Sequence, residues 1–185
     1  MYKIQVVSIF RQRKHRSCFY LLAGETQERR SGMADYDLMK KQLEALISDT
    51  EWEISVLANA SALIWDGLED INWAGFYIMR GGHLELGPFQ GKPACVRIEA
   101  GKGVCGTAVA ENRTQLVADV HAFPGHIACD SASNSEIVVP VHVRGEVYGV
   151  LDIDSPLKNR FTEDDREGLE MMVSILETRL DTLAC

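Results

Sequence analysis

The sequence predicts an α+β domain in which a central antiparallel sheet is covered by helices that lie near the two ends of the chain. Helical hydrophobic periodicity follows Asp35, spans residues 50–67 and returns after Thr162. Between these segments, apolar stretches rich in strand-forming residues occur in pairs joined by short glycine-containing turns. Strands joined by hairpins, with helices gathered at the chain ends, are typical of α+β domains.

The terminal helices carry recognisable start signals. Asp35 is a suitable N-cap for the first helix, and Thr162 is a suitable N-cap for the last one. Three acidic residues follow Thr162, where the helix dipole favours negative charge. The predicted buried stripes are Leu38, Leu43, Leu46 and Ile47 in the first helix; Ile54, Leu57, Ala58, Ala62 and Leu68 in the second; and Leu169, Met172, Val173, Leu176, Leu180 and Leu183 in the last.

The middle of the chain is expected to form the sheet. The sequence predicts strands at 73–79, 84–87, 95–98, 137–143 and 147–154, and a short helix at 104–112. Residues 119–135 contain Gly, Pro, Asn, Ser and Asp without clear periodicity. A loop of this length is uncommon in a compact domain and is often functional, so we expect the active-site loop here, on the sheet face opposite the terminal helices.

Composition excludes several classes of protein. A chain of 185 residues with 46% hydrophobic residues is suited to one folded domain and is not mainly disordered. No apolar run reaches the roughly 18–20 residues that cross a bilayer, and no secretory signal is recognisable. The net charge of −8 argues against nucleic acid as a partner. We therefore expect a cytoplasmic domain with neither membrane nor nucleic acid as partner.

Residues 1–32 differ from the rest of the chain. They contain seven Lys and Arg residues against two acidic ones, including the basic cluster at 11–16. We expect this leader to be disordered, or to result from an over-long gene start with Met33 as the natural first residue, so that the domain covers 33–185. A targeting or nucleic-acid-binding arm is the alternative.

Five cysteines without a secretory leader indicate metal binding or redox chemistry rather than a disulfide framework. Cys105 lies in an apolar helix start and fits a small buried side chain. Cys129 lies in a polar loop with no apolar pattern to bury it, so it is expected to ionise and react. Cys95 fits either interpretation.

A zinc site is an alternative use of the same region. His121, His126 and Cys129 have plausible ligand spacing, with Cys95 or Cys105 as further ligands. Structural zinc sites usually contain paired motifs such as Cys-x2-Cys, and no matching second pair is present. We therefore expect no bound metal and keep a zinc-bearing redox sensor as an alternative.

Three carboxylates and two aromatic residues are candidates for a ligand pocket. Asp is depleted from strands, yet Asp152 and Asp154 interrupt an apolar strand and share one face of it, and Glu136 precedes the neighbouring strand. They form either a solvent-facing strand surface or an acidic pocket wall, in which crowding raises a carboxyl pKa and leaves other carboxylates to pair with a ligand ammonium. Trp73 and Tyr77 are four apart and could wall an apolar pocket on one face of their strand.

Several motifs carry a resemblance to a known family. They lie at 70–77, 87–95, 101–108, 125–130, 133–137 and 149–155. From about Asp35 to Leu183 the chain resembles the free methionine-(R)-sulfoxide reductases, which are single-GAF-domain enzymes. The leader has no counterpart in the family pattern, and neither Cys18 nor Cys185 matches a family cysteine.

The resemblance implies a role for each candidate residue. It implies that Cys129 is the nucleophile, that Cys95 is the resolving thiol, and that Cys105 is a third cysteine able to join disulfide exchange. It further implies that Glu136, Asp152 and Asp154 bind substrate and activate the sulfoxide, and that Trp73 and Tyr77 hold its methyl-sulfinyl end.

The implied reaction is the reduction of free L-methionine-(R)-sulfoxide to L-methionine. Thiolate attack leaves a sulfenic acid, which a nearby thiol captures as a disulfide. Thioredoxin, supplied by NADPH and thioredoxin reductase, is the expected external reductant, and no cofactor is expected to be bound. Pairing through terminal helices, as in GAF domains of this kind, makes a homodimer a further expectation. The remaining alternative is a GAF module that binds a small molecule without turnover.

Overall fold

The computed structural model describes residues 34–125 and 131–184, so the predicted leader lies outside the described residues. The helices are α1 (Tyr36–Ile47), α2 (Glu53–Gly67), α3 (Gly103–Glu111) and α4 (Glu163–Leu183). The strands are β1 (Trp73–Arg80), β2 (His83–Gly91), β3 (Arg97–Glu99), β4 (Gln115–Val117), β5 (Ser135–Val143) and β6 (Glu146–Ser155). No helix in these two ranges is long and apolar enough to span a membrane.

The six strands form one sheet in the order β3-β2-β1-β6-β5-β4, and all neighbouring pairs are antiparallel. The two predicted hairpins are β1–β2 and β5–β6. They place β1 and β6 side by side at the centre of the sheet. The predicted α+β class with a central antiparallel sheet is confirmed.

The two faces of the sheet contact different helices. One face packs against α2 and α4, on which α1 packs in turn, through a large apolar cluster, here called the helix-side cluster, which includes Phe76, Ile137, Leu151, Ile153, Leu57 and Leu176. The other face packs against α3 through a second one, here called the site-side cluster: Trp73, Tyr77, Leu84, Ile98, Val104, Cys105, Ala108, Val117, Val120, Val138 and Val150. The prediction that the terminal helices cover one face is confirmed.

Both predicted N-caps are present. The Asp35 side chain accepts a hydrogen bond from the backbone N–H of Leu38 at 3.0 Å. The Thr162 side chain accepts from the backbone N–H of Asp165, whose carboxylate accepts from the backbone N–H of Thr162. This reciprocal pair satisfies two backbone donors that the first turn of a helix would otherwise leave unpaired.

The predicted buried stripes are only partly correct. In α1 the buried residues are Met39, Leu43 and Ile47, whereas Leu38 and Leu46 are 45% and 47% exposed. The side chains spaced four apart pack against α2 and α4, and the two leucines lie on the flank of the helix. In α2 the predicted Ala62 is exposed, and the residues buried there are Val56, Leu57, Ala60, Ser61 and Ile64.

The observed strand boundaries differ most from the predicted ones where the sequence contains poor strand formers. Strand β2 is nine residues long and continues through Gly87, Pro88 and Gly91, well past the predicted 84–87. A register shift between Gly75 and Tyr77 allows this pairing to continue. Strand β3 begins later than predicted, and β4 was not predicted, because three residues are too few for a periodic signal.

Candidate active site

Adjacent strands bring most of the candidate residues to one face of the sheet. In the pairing of β1 with β6, Trp73 lies opposite Asp154 and Gly75 lies opposite Asp152. In the pairing of β5 with β6, Glu136 lies opposite Asp154. Because residues two apart on a strand point to the same face, this register places Trp73, Asp152, Asp154 and Glu136 on the face that α3 covers.

Cys105, Glu136 and Asp152 form a compact buried group. Cys105 comes from the first turn of α3, and its Sγ lies 3.9 Å from Oε1 of Glu136. One donor atom from each of the three residues lies within 4.8 Å of the other two. Glu136 and Asp152 are only 7% and 6% exposed, whereas Asp154 is half-buried. The carboxylates therefore form a buried acidic wall and not a solvent-facing strand surface.

Burial changes the protonation of the two enclosed carboxyls. It raises the pKa of Asp152 to about 6. Burial also raises the pKa of Glu136 well above its usual range, and the charges of Asp152 and Asp154 add to this effect. A carboxyl in a low-dielectric site, beside others of like charge, retains its proton to higher pH. The pair therefore holds a proton near neutral pH and can donate it to a bound ligand.

Cys105 is a poor candidate for the attacking thiol. A position in the first turn of a helix favours a thiolate. Here burial outweighs that effect and, together with the charges of Asp152 and Glu136, raises the thiol pKa well above its usual value. The Cys105 thiol thus remains protonated at neutral pH.

Three aromatic rings form the wall beside the acidic group. Trp73 stacks on Tyr77 with ring centroids 5.7 Å apart, and on Phe89 at 5.2 Å. Burial, followed by the charge of Asp152, raises the pKa of Tyr77, so its hydroxyl remains a hydrogen-bond donor. Phe89 was not predicted as a site residue, although it lies within one of the motifs that carry the family resemblance.

The same aromatic residues hold the segment that contains Cys95. The indole Nε1 of Trp73 donates to the carbonyl of Lys92 at 3.1 Å, and the Tyr77 hydroxyl donates to the carbonyl of Cys95 at 3.0 Å. Cys95 itself is half-buried and disulfide-bonded to a partner outside the described residues. Among the described cysteines, Cys105 is a free thiol.

Cys129 and His126 lie outside the described residues, but hydrogen bonds and an ion pair hold the residues on both sides of this segment. The backbone N–H of Val120 donates to the carbonyl of Asn134 at 3.0 Å. The Asn134 side chain donates to the carbonyl of Pro156 at 2.8 Å, and Lys158 Nζ lies 2.6 Å from Asp119 Oδ2. The segment between β6 and α4 therefore fixes the base of the loop.

The hypothetical zinc site built on His121 is not assembled by the described residues. His121 is exposed, and its Nε2 lies 3.1 Å from Oδ1 of Asn134. In the part of the chain that the structure describes, Cys105, Glu136 and Asp152 are the single group of three side chains close enough to share a metal ion. The remaining ligands of that hypothesis, His126 and Cys129, fall in the undescribed segment.

Known proteins share both the sequence and the fold. The family model for the GAF domain matches residues 42–180. The chain is 54% identical to the free methionine-R-sulfoxide reductase of Escherichia coli over 147 residues, which cover 80% of this chain and 89% of that protein.

Solved structures of related proteins have the same fold. The fRMsr of Staphylococcus aureus in complex with substrate is 55% identical with a TM-score of 0.78, and the match covers 80% of this chain and 97% of that one. Free methionine-R-sulfoxide reductase from Neisseria meningitidis in complex with its substrate is 41% identical with a TM-score of 0.77, and the match covers 81% and 92% of the two chains.

Proposed function

The chain belongs to the free methionine-R-sulfoxide reductases, a family of GAF-domain oxidoreductases, and on that basis we propose that it reduces free L-methionine-(R)-sulfoxide to L-methionine by a thiol–disulfide mechanism. The observation that carries the proposal is the buried group of Glu136, Asp152 and Cys105 beside the Trp73–Tyr77 stack. It combines a proton-holding carboxyl pair with an apolar wall, which together suit a sulfoxide with a methyl group.

The carboxyl pair supplies the proton that the reaction needs. The sulfur of a sulfoxide becomes electrophilic when its oxygen accepts a proton or a strong hydrogen bond. The Cys129 thiolate attacks this sulfur, the oxygen is transferred, and methionine leaves with Cys129 as a sulfenic acid. The raised pKa values of Asp152 and Glu136 support a carboxylic acid at this position near neutral pH.

The acidic wall also accounts for a preference for the free amino acid. Free methionine sulfoxide carries an α-ammonium group, which a methionine residue within a protein chain lacks. A remaining carboxylate, for which the half-buried Asp154 is suited, pairs with this cation. The Trp73 and Tyr77 rings contact the methyl-sulfinyl end.

Cys95 is the better candidate for the resolving thiol. Its disulfide and its half-buried position support this role, and we take Cys129 as its partner. Cys105 is buried, protonated and free, so its direct part in resolution is smaller. A second thiol condenses with the sulfenic acid to form the disulfide and release water.

Thioredoxin, with NADPH and thioredoxin reductase, is the proposed reductant that regenerates the thiols by exchange. We propose that the protein itself carries no bound cofactor. The homodimer stays a prediction, which light scattering of the purified protein would test.

The test is thioredoxin-coupled NADPH oxidation with separated R and S epimers of free methionine sulfoxide. We expect turnover of the R epimer, abolished in Cys129→Ser and retained in the control Cys185→Ser, which changes a cysteine outside the family pattern. Turnover that persists in Cys129→Ser would remove this residue as nucleophile. If neither epimer were turned over while methionine sulfoxide still bound, the non-catalytic GAF module would replace the reductase.

A further inference from the structure

We propose that Cys105, Glu136 and Asp152 form a zinc-binding site, and that zinc bound there inhibits the enzyme by occupying the carboxylates that hold the substrate. The binding site is inferred from the geometry of these three residues. The inhibitory effect rests on the proposed function, because it requires that the same carboxylates contact the substrate.

The donor atoms are spaced nearly as zinc requires. Zinc binds thiolate sulfur at about 2.3 Å and carboxylate oxygen at about 2.0–2.2 Å, so two ligands of a tetrahedral ion lie about 3.3–3.6 Å apart. The Sγ of Cys105 and Oε1 of Glu136 are 3.9 Å apart, and all three donor atoms lie within 4.8 Å of one another. Side-chain adjustments of about 1 Å would therefore complete the geometry.

The types of donor select zinc among common divalent ions. A thiolate is a soft ligand that Mg²⁺ and Ca²⁺ avoid, whereas zinc accepts sulfur and oxygen together. Binding forms a zinc–sulfur bond and releases to solvent both the Cys105 proton and the proton held by the Glu136–Asp152 pair, with no transfer of electrons. Three protein ligands leave the fourth zinc position to water, as in catalytic zinc sites.

A second observation points to a missing ligand at this place. Asp152 is 6% exposed, and its Oδ1 is buried without a hydrogen-bond partner. A buried carboxylate oxygen without a partner is costly, and a cation beside it would remove that cost. The group is also preorganised, because its members come from α3, β5 and β6 and are held by the site-side cluster.

The site is available when the enzyme is oxidised. The Cys105 thiol is free while Cys95 is disulfide-bonded. Zinc can therefore bind without competing for Cys95 or its disulfide partner, and the oxidised protein provides the cleanest test because those two thiols cannot act as ligands.

The experiment titrates the oxidised full-length protein with Co²⁺, whose bond to a thiolate produces a charge-transfer absorption band in the near ultraviolet, and then displaces Co²⁺ with Zn²⁺. We expect one equivalent of Co²⁺ to give this band and Zn²⁺ to abolish it. Cys105→Ser should lose the band. Replacing a residue that only supports a metal ligand weakens metal binding by about 10- to 100-fold. Asp152→Asn and Glu136→Gln replace the ligands themselves, so each should raise the Kd for Co²⁺ at least about tenfold.

The control is the double variant Cys18→Ser/Cys185→Ser, which removes two other cysteines and should keep the band. A band that persists in Cys105→Ser, or no band in the folded wild type, would overturn the site. If Cys105→Ser does not fold, unchanged Co²⁺ affinity in Asp152→Asn overturns it equally.

In the coupled assay Zn²⁺ should raise the apparent KM for methionine-(R)-sulfoxide, and a lowered kcat at unchanged KM would contradict the inhibitory part. A wild type that binds Co²⁺ but reduces neither epimer would refute the proposed function and leave the metal site standing.

Discussion

Asp152 occupies a position that protein stability alone does not favour. Aspartate is a poor strand former, and its carboxylate lies almost fully out of water at the centre of the sheet, with one oxygen unpartnered. The residue lies opposite Gly75 on β1, where a side chain would collide with Phe89 and with the Trp73 ring. Stability is therefore reduced where the proposed chemistry needs a carboxylic acid.

We expect Asp152→Asn to raise the free energy of unfolding at pH 7 while it lowers turnover. Burial raises the pKa of this carboxyl from 3.8 to about 6, so the folded state binds the proton more tightly than the unfolded one. The stability that this proton provides is complete below the unfolded-state pKa and is lost as the pH rises through about 6. The neutral amide avoids this loss, which is on the order of 2–3 kcal/mol.

Urea unfolding between about pH 4 and 8 measures the effect, because wild-type stability should increase toward acid and Asp152→Asn should show a flatter profile. The control is Asp66→Asn, an exposed position on α2, which should follow the wild type. Parallel pH profiles for wild type and Asp152→Asn would mean that this carboxyl does not hold its proton preferentially in the folded state.

At the scale of single elements, α4 is anchored at its start by several contacts. Asp165 completes the reciprocal hydrogen bonds with Thr162, accepts from the Tyr36 hydroxyl of α1 at 2.7 Å, and lies 3.3 Å from Arg160. The ring of Tyr36 also packs against Gly168, where any larger residue would collide with it. The first turn of α4 thus joins the two terminal helices.

Thr162→Ala should reduce the free energy of unfolding by about 1–2 kcal/mol, because the helix loses its N-cap hydrogen bond. Thr162→Ser retains the hydroxyl and should stay near the wild type. Thermal unfolding of the three proteins at the same concentration distinguishes them. An equal loss in both variants would assign the effect to the threonine methyl group.

Elements could be predicted from sequence where local chemistry determines them. The caps at Asp35 and Thr162, both hairpins and the shared face of Asp152 and Asp154 follow from residue type and spacing. The exposure of Leu38 could not be predicted, because a helix with apolar residues around much of its surface does not specify which of them face the neighbouring helices. The sequence of strand β4 shows no periodic pattern, because this strand forms through its pairing with β5, which is a tertiary contact.

The candidate site could likewise be predicted only where local chemistry determines it. Its carboxylates and aromatic residues were predicted as strand faces, but the approach of Cys105 to Glu136 depends on how α3 crosses the sheet. Spacing along the chain does not encode that crossing. The stack of Phe89 on Trp73 likewise depends on the irregular pairing of β1 with β2. The assignment of Cys129 as nucleophile stays a prediction.

At the scale of the whole molecule, the two faces of the sheet have different roles, one in stability and the other in the proposed catalysis. Its helix-side face contacts α2 and α4, and the cluster formed there with α1 contains most of the buried apolar residues. Its other face carries the candidate active site under α3. Alternate residues of β5 and β6 belong to opposite faces, so Ile137 and Val138 are neighbours in sequence but contribute to different clusters.

We expect core truncations on the two faces to have different effects. Leu176→Ala, in the helix-side cluster, should cost about 2–5 kcal/mol of unfolding free energy while kcat/KM of the folded enzyme stays within about twofold. Val138→Ala lies opposite Asp152 on the neighbouring strand and should cost less stability, about 2 kcal/mol, but lower kcat/KM about tenfold or more. Kinetics at a temperature where both variants are folded make this comparison. Equal catalytic losses would mean that the two faces are not functionally separate.

The residues of β6 alternate between the two faces of the sheet, and this alternation also limits where the chain tolerates insertions and deletions. One codon inserted before Asp152 within the strand would turn that carboxylate toward the terminal helices and move Ile153 to the face of the active site, because every strand residue after the insertion changes face. An insertion at the Arg144–Gly145 turn leaves the register beyond it free to re-form. Lineages of this enzyme should therefore vary in length at their turns and keep the number of residues between Gly149 and Ser155 constant.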